Sequence, residues 1–435
     1  MNKKSIIILA AGQGTRMKSE LPKVLHKISG KPMLYYSIKE ALKLSDDITV
    51  VLYHQFEKVK SEIEKYFSNI NFVIQDHENY PGTGGAVMNI VPKYPKVLVL
   101  NGDMPLIEAG ELEKFDLDAC IVMSVLKLQS ADGYGRVIIE NDSVKKIVEQ
   151  KDASSNELQI TTANAGIYQF DTKFLLENLA KLNNNNAQKE YYITDLVEMA
   201  INQGKVLKPI YVNEENFKGV NSKVELADAE VIHQNRIKKE FLKAGVIMRL
   251  PETIFIEEGV EILGESIIEN GVTLLGNTKI INSHIKTNSI IESSIVENSD
   301  VGPLARVRPD CKIKDTHIGN FVETKKAILN GVKAGHLSYL GDCFIDSGTN
   351  IGCGTITCNY DGVNKYQTII GKNVFVGSDT QFVAPIKVED DVIIGAGTTV
   401  TDDLKKGQLY VTRAKARQID GYFYKHFEKA KKDKR

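Results

Sequence analysis

The chain of 435 residues has little of what marks several large classes of protein. Neither charge is in excess: 55 Lys and Arg stand against 56 Asp and Glu, a net charge of −1, which excludes a generally basic nucleic-acid binder. No apolar run approaches the ~18 residues of a membrane-spanning helix. MNKKSIIILAAG at the start lacks a signal-peptide cleavage pattern and runs directly into a glycine loop. A cytoplasmic protein with no membrane and no nucleic-acid partner is therefore expected. The five cysteines, Cys120, Cys311, Cys343, Cys353 and Cys358, are odd in number and lack C-x-x-C spacing, which supports neither a disulfide framework nor a zinc knuckle. What remains is ordinary globular composition, 42% apolar and 26% charged. At ~100 to 200 residues per domain, the length suggests two to four domains.

Two periodicities divide the chain. Up to about residue 220, β-rich runs (5–10, 48–53, 71–75, 96–100, 119–125) alternate with helical stretches such as 33–44 and 57–66. Strand, crossover helix and strand in succession predict an α/β unit with a mainly parallel sheet and a ligand site at the carboxyl ends of its strands. From about residue 251 a six-residue period takes over. Ile256, Ile262, Ile268, Leu274 and Ile280 form one ladder; Val376, Phe382, Val388, Ile394 and Val400 form another. Such hexads predict a parallel β-helix of about eight coils, ~18 residues each, with the ladder residues pointing into the prism. Residues 358–368, CNYDGVNKYQT, break the period and should protrude as a loop. Between the halves, Ser222 and Glu225 read as a capping box and Gly245 as the stop of a connecting helix. The expected domains are 1–221, a linker helix 222–245, a β-helix 246–412 and a basic tail 413–435, whose end reads as a frayed terminus.

The first strand opens into Ala11-Gly12-Gln13-Gly14-Thr15-Arg16-Met17. Gly12 and Gly14 allow a tight turn that brings N–H groups close to phosphate, and Arg16 adds positive charge. The Rossmann and P-loop patterns both fail, the former because Met17 stands at the third glycine position. Leu21-Pro22-Lys23 brings a second cation. The strand at 97–100 ends in Asn101-Gly102-Asp103, where Asp103 reads either as a turn residue or as a hard oxygen ligand for Mg²⁺.

The run from Leu9 to Lys23 resembles the sugar-phosphate nucleotidylyltransferases, whose LAAGxGTRM and LPK it carries intact. Gln75, Gly82-Thr83, Asn101-Gly102-Asp103, Gly135 in GYGR, Glu149 in IVEQKDA, Asn164, the run 183–188 before EYYITD, and Gly219-Val220-Asn221 follow in that family's order. With the second half included, the whole chain resembles the bifunctional N-acetylglucosamine-1-phosphate uridylyltransferases and glucosamine-1-phosphate N-acetyltransferases. The resemblance implies a Rossmann-like nucleotidyltransferase domain joined by a long helix to a left-handed β-helix. Leu9, Ala10, Ala11, Gly12, Gln75, Gly82 and Thr83 would hold the uridine of UTP, with Asn101 and Gly102 in the same substrate site. Gly135, Glu149 and Asn164 would hold N-acetylglucosamine. Asp103 and Asn221 would bind Mg²⁺, with Arg16 and Lys23 as catalytic cations. Asn101 departs from the family, where many relatives have Tyr.

In the second half the same resemblance assigns Arg308, Lys325, Tyr339 and Asn350 to glucosamine 1-phosphate. His336 would be the general base for acetyl transfer, a task suited to a pKa near ~6.5. Cys353, Asn359, Tyr360, Ser378, Ala396 and Arg413 would contact acetyl-CoA, Cys353 standing where Ala is usual. Glu323 is open between tuning His336 and pairing with Lys325. A homotrimer through the β-helix is also implied, the tail reaching the CoA phosphates of a neighbour. The rival reading, a single-activity nucleotidylyltransferase with a structural or regulatory β-helix, has no need of His336, Lys325, Arg308 and Asn359-Tyr360.

Overall fold

The computed structural model describes residues 3–131, 134–148, 150, 153–186 and 188–432; Glu149, expected at the sugar, lies outside the described residues. The chain divides into two compact units, Met1–Ile237 and Lys238–Arg435. The division falls inside the linker helix, Lys223–Lys243. Among the described residues no helix is long and apolar enough to cross a membrane.

The first unit is built on a nine-stranded sheet. Its main path comprises β1 (Ser5–Leu9), β2 (Ile48–Leu52), β3 (Asn71–Ile74), β4 (Lys96–Asn101), β5 (Ile121–Lys127), β6 (Thr162–Asp171) and β7 (Leu207–Tyr211), in the order β7-β5-β6-β4-β1-β2-β3. β1 pairs parallel with β2 and β4, β2 with β3, and β5 with β7, while β6 runs antiparallel between β4 and β5. The unbroken aliphatic runs of β1 and β4 follow from burial on both faces. Ile6, Ile8, Leu98 and Leu100 join one core, Ile7, Val97 and Val99 the other. Leu9 pairs with Asn101 at the carboxyl edge, so the loops beginning at Ala10 and Gly102 leave the sheet side by side.

In the second unit the hexads wind into a parallel β-helix. One face is a ten-stranded ladder running from Ile247–Met248 to Leu409–Tyr410. The other two faces join into one sheet because Glu323–Asn330 and Tyr339–Ile345 pass unbroken round a corner, with Lys326 and Asp342 at positive φ. All ten residues of the two long ladders are buried. Coils near the two ends keep the expected 18 residues, as from Glu261 to Lys279 and from Phe375 to Ile393, while others between them are shorter: Ile267 pairs with His284, His284 with Asp300 and Asp300 with His317, steps of 17, 16 and 17 residues. A coil of that length has one or two sides of five residues, which is why buried Ile280 is followed by Ile285 and Val296 by Val301. Residues 358–368 form the protruding loop, with Tyr360 bridged antiparallel to Lys365 and Val363 at its exposed tip.

The linker helix starts as its sequence prescribes. Glu225 N–H donates to Ser222 Oγ at 3.2 Å, and the Glu225 carboxylate accepts from Asn221 N–H at 2.7 Å. Gly245, at φ +95°, ends it, with Val246 N–H donating back to the Phe241 carbonyl at 3.0 Å. The tail differs from a frayed terminus. Tyr422–Lys432 is a helix, its first residues exposed, in which Phe423 packs on Phe427 (4.6 Å between centroids) and Tyr422 stacks on His426 (6.0 Å). These i,i+4 aromatic pairs are the local interaction that favours helix there.

Candidate functional site

In the first unit a cavity of about 470 Å³ opens at the carboxyl edge of β1 and β4. Of the residues expected around a nucleotide, Leu9, Ala10, Ala11, Gly12, Lys23, Gln75, Gly82, Thr83, Asn101 and Asp103 line it; Gln13, His77 and Glu190 join them. Gly14 sits at φ +65°, and a Cβ there would lie 2.5 Å from Lys23 Cβ, so glycine is what lets the lysine stem approach the loop.

Lys23 is the centre of the charge arrangement. Its ammonium meets Asp103 Oδ2 at 2.5 Å and Asn221 Oδ1 at 3.2 Å, and the same Asn221 oxygen accepts from Arg16 Nη2 at 2.9 Å. The Lys23 and Asp103 side chains are only 14% and 19% exposed, so the pair is largely withdrawn from bulk water and each charge leans on the other. Val220 N–H donates to the Asp103 carbonyl at 2.8 Å, tying the entry of the linker helix to the loop after β4. A carboxylate and an amide oxygen held on either side of a cation are the hard donors that Mg²⁺ takes. Arg16 reaches this cluster but does not line the cavity.

Gln75, 6% exposed, donates both amide hydrogens to main-chain carbonyls, Tyr80 at 2.9 Å and Gly82 at 3.0 Å. Its carbonyl oxygen is thereby fixed as the group offered to a ligand. Asn164 N–H donates to the Gly135 carbonyl at 3.0 Å, which places two of the three sugar candidates together. Asn164 Oδ1 accepts from Gly166 N–H, and the Gly166 carbonyl accepts from Asn101 Nδ2 at 3.1 Å. Asn101 thus links this pair to the cavity edge. Neither Gly135, Asn164 nor Gly102 lines the cavity itself. The stack of His77 on Tyr53 (4.6 Å, 14°) is local and aromatic, and nothing in the pattern of the sequence announced it.

The second unit gathers its candidates by stacking. His336, Cys353, Ser378 and Ala396 each stand two residues beyond the buried positions Ala334, Ile351, Val376 and Ile394, which pair coil to coil. They therefore form one column on consecutive coils, ~4.8 Å apart per step. Glycine precedes each. A Cβ on Gly377 would lie 2.4 Å from Ala396 N, so the coils meet at this corner only because side chains are absent. Arg413 closes the column, donating from Nη2 to the Ala396 carbonyl at 3.3 Å. Tyr339 lies one corner from His336, across Leu337 at φ +44°. Asn350 pairs with Lys333 three residues before His336.

Cations collect beside this column. Lys325 is held below the ordinary lysine range chiefly by contact with Lys365, whose charge adds to desolvation and to Arg308, with Asp342 opposing. Lys365 sits in the protruding loop and was not expected. Its signal was the pattern break itself, which brings a basic residue back over the prism. Arg308 pairs with Glu323 at 2.9 Å, which raises its affinity for its proton. Glu323 thus meets Arg308 rather than Lys325, because Arg306 and Glu323 are register partners and Arg308 is two residues on. Asn359 Nδ2 donates to Asp342 Oδ2 at 2.5 Å, while Tyr360 is exposed.

A nucleotide-sized cavity at the edge of a parallel sheet, in a chain continued by a hexapeptide β-helix, defines a nucleotidyltransferase fused to a hexapeptide-repeat transferase. A model of the MobA-like NTP transferase domain matches residues 6–115, and one of the bacterial transferase hexapeptide (six repeats) matches residues 367–402. The chain is 84% identical over 432 residues to the bifunctional protein GlmU of Aliarcobacter butzleri, covering 99% of this chain and 100% of that one. It is 60% identical to GlmU of Nitratiruptor sp. (98% and 99% covered) and 56% identical to GlmU of Campylobacter jejuni strain RM1221 (98% and 100%). The chain belongs to the GlmU family of bifunctional enzymes.

Proposed function

We propose that the chain makes UDP-N-acetylglucosamine in two transfers: acetyl from acetyl-CoA to glucosamine 1-phosphate on the β-helix, then uridylyl from UTP to N-acetylglucosamine 1-phosphate in the α/β unit. The observation that carries this is the presence of two separate cationic sites, one at Lys23 and one at Lys325, each beside the groups its transfer requires.

At the β-helix, Lys325, Lys365 and Arg308 bind the sugar phosphate, and its dianion relieves the repulsion between the two lysines. Tyr339 and Asn350 orient the sugar. The His336 imidazole accepts a proton as the sugar amine attacks the thioester carbon, and the sulfur of CoA leaves. Acetyl-CoA lies along the column Cys353–Ser378–Ala396, with Asn359, Tyr360 and Arg413 beside it.

In the α/β unit, Gln75 Oε1 accepts the N3–H of uracil. The glycine loop and Thr83 hold the rest of the uridine, and Gly135, Glu149 and Asn164 the sugar. Lys23 turns from Asp103 to a phosphate oxygen as UTP enters, and Arg16 draws on the same charge. Asp103 and Asn221 would hold Mg²⁺, which when bound supplies positive charge to the triphosphate and to departing pyrophosphate. The phosphate oxygen of the sugar attacks the α-phosphorus, one P–O bond forming as that to pyrophosphate breaks. No protein nucleophile is needed, so positioning and electrostatics do the catalysis.

The prism also carries an outward apolar row, Phe375, Ile393 and Leu409, on neighbouring strands and 53%, 52% and 68% exposed. Such a row supports association through the β-helix as a homotrimer, which light scattering tests directly. For the reactions, purified protein is supplied with glucosamine 1-phosphate, acetyl-CoA, UTP and Mg²⁺. Free CoA, pyrophosphate and UDP-N-acetylglucosamine are expected. Omitting UTP should leave CoA release alone, and omitting acetyl-CoA should stop both.

A further inference from the structure

Ser29 is fully buried, 0% exposed, in the turn between Lys27–Ile28 and Lys31–Pro32. Ser29 and Gly30 both have positive φ, +44° and +83°. In such two-residue hairpin turns the first position ordinarily falls to Asn, Asp or Gly. Serine's use here is explained by what it touches. Its N–H donates to both carboxylate oxygens of Glu230 (2.9 and 3.1 Å), and its Oγ–H to Glu230 Oε1 at 2.9 Å. Gln234 Nε2 donates to the same Oγ at 2.8 Å, and His233 Nδ1 lies 2.8 Å from it. The His233 ring packs edge-on against Tyr36, whose hydroxyl donates to the Ile28 carbonyl at 2.6 Å.

All three partners lie on the linker helix, which begins just after Asn221, and Ser29 follows Lys23 by a short turn and half a hairpin. We infer that Ser29, Glu230, His233 and Gln234 form a positioning clamp that keeps Asn221 in register with Arg16, Lys23 and Asp103 at the phosphate end of the uridylyl site. The clamp rests on the reading that Asp103 and Asn221 hold the metal of the bound nucleotide. It is not what docks the helix, since Arg236 Nη1 also donates to the Leu106 carbonyl at 2.7 Å and Leu106, Val220 and Ala229 share a core. Its loss therefore shifts an alignment rather than unfolding the unit, and an ångström of misplacement is costly for a coordinated phosphate.

Ser29→Gly is the informative variant, because glycine keeps the left-handed turn without strain while deleting the hydroxyl. Glu230→Gln removes the charged acceptor. In full-length protein with UTP and no sugar phosphate, Mn²⁺ binding is read by electron paramagnetic resonance. Both variants should weaken Mn²⁺ about tenfold, the scale for groups that orient a metal's ligands, with acetyl-transfer KM values unchanged. Wild-type Mn²⁺ affinity in both, even with a lowered Tm, overturns the clamp, provided Asn221→Ala binds Mn²⁺ at least about tenfold more weakly. If Asn221→Ala binds as wild type, the metal reading itself fails and the clamp with it.

Discussion

In the α/β unit the cation that lines the cavity is already matched: Lys23 sits against Asp103, and Arg16, outside the lining, shares the Asn221 oxygen with it. At the candidate site of the β-helix, Arg308 is paired with the Glu323 carboxylate, while Lys325 and Lys365 press on each other. On the proposed function each site takes a phosphate, and one would break an ion pair to do so while the other would be relieved by it. The difference follows from construction. Strand ends of an α/β sheet converge from several loops, so an acidic residue and a lysine 80 positions apart in sequence arrive together. A β-helix stacks equivalent positions coil upon coil, so like side chains also accumulate, and charge is balanced only where the register supplies an acid.

The contrast can be broken most severely by removing the key group of each site. Asp103→Ala should lower uridylyl transfer by about 10³-fold or more and leave acetyl transfer near normal, because the phosphate end loses the carboxylate that would hold Mg²⁺. His336→Ala should reduce acetyl transfer by about 10² to 10⁴-fold and spare uridylyl transfer. Initial rates of pyrophosphate and CoA release measure both.

Substrate choice sharpens the contrast next. Gln75 presents an acceptor, and cytosine has no N3–H to give it, so CTP should show kcat/KM at least about 100-fold below UTP. Equal use of the two nucleotides would mean that the Gln75 amide is turned the other way.

A smaller effect separates the two electrostatic schemes. Lys365→Ala should raise the KM for glucosamine 1-phosphate about tenfold at neutral pH, the worth of one charge-assisted hydrogen bond. With Lys325 held below the ordinary lysine range by Lys365, its cation is lost as pH rises at a lower pH than for a free lysine. Sugar-phosphate binding in the wild type should therefore weaken with alkalinity earlier than in Lys365→Ala, whose Lys325 is freed of that neighbour. A KM–pH profile with the inflections in the reverse order would contradict the account. The least effect is expected of Cys353→Ala, since only a small thiol is removed from an open column: a change in acetyl-CoA KM below about threefold.

The two regions also differed in how plainly they could be read. Hexads gave the prism, because a buried ladder residue depends only on its own coil. Their length misled by one or two residues only in the middle coils, since dropping a residue at a corner, as between Ile280 and Ile285, leaves burial intact. At the cavity, the glycine loop, Lys23 and Asp103 were legible from their chemistry at strand ends, and the remaining lining residues of β1 and β4 from the family resemblance. Glu190 and His77 were not, as each comes from a loop whose return to the cavity depends on tertiary packing. Lys365 and the Arg308–Glu323 pair needed the register between coils. The tail helix could have been read from the i,i+4 spacing of Phe423 and Phe427, which its lysines obscured.

On the proposed function, one chain holds two independent transfer sites linked by a diffusible sugar phosphate. Mixing purified Asp103→Ala and His336→Ala proteins with glucosamine 1-phosphate, acetyl-CoA, UTP and Mg²⁺ tests it most directly. UDP-N-acetylglucosamine should form in the mixture and with neither variant alone; a mixture that stays inactive although both variants are folded would contradict it.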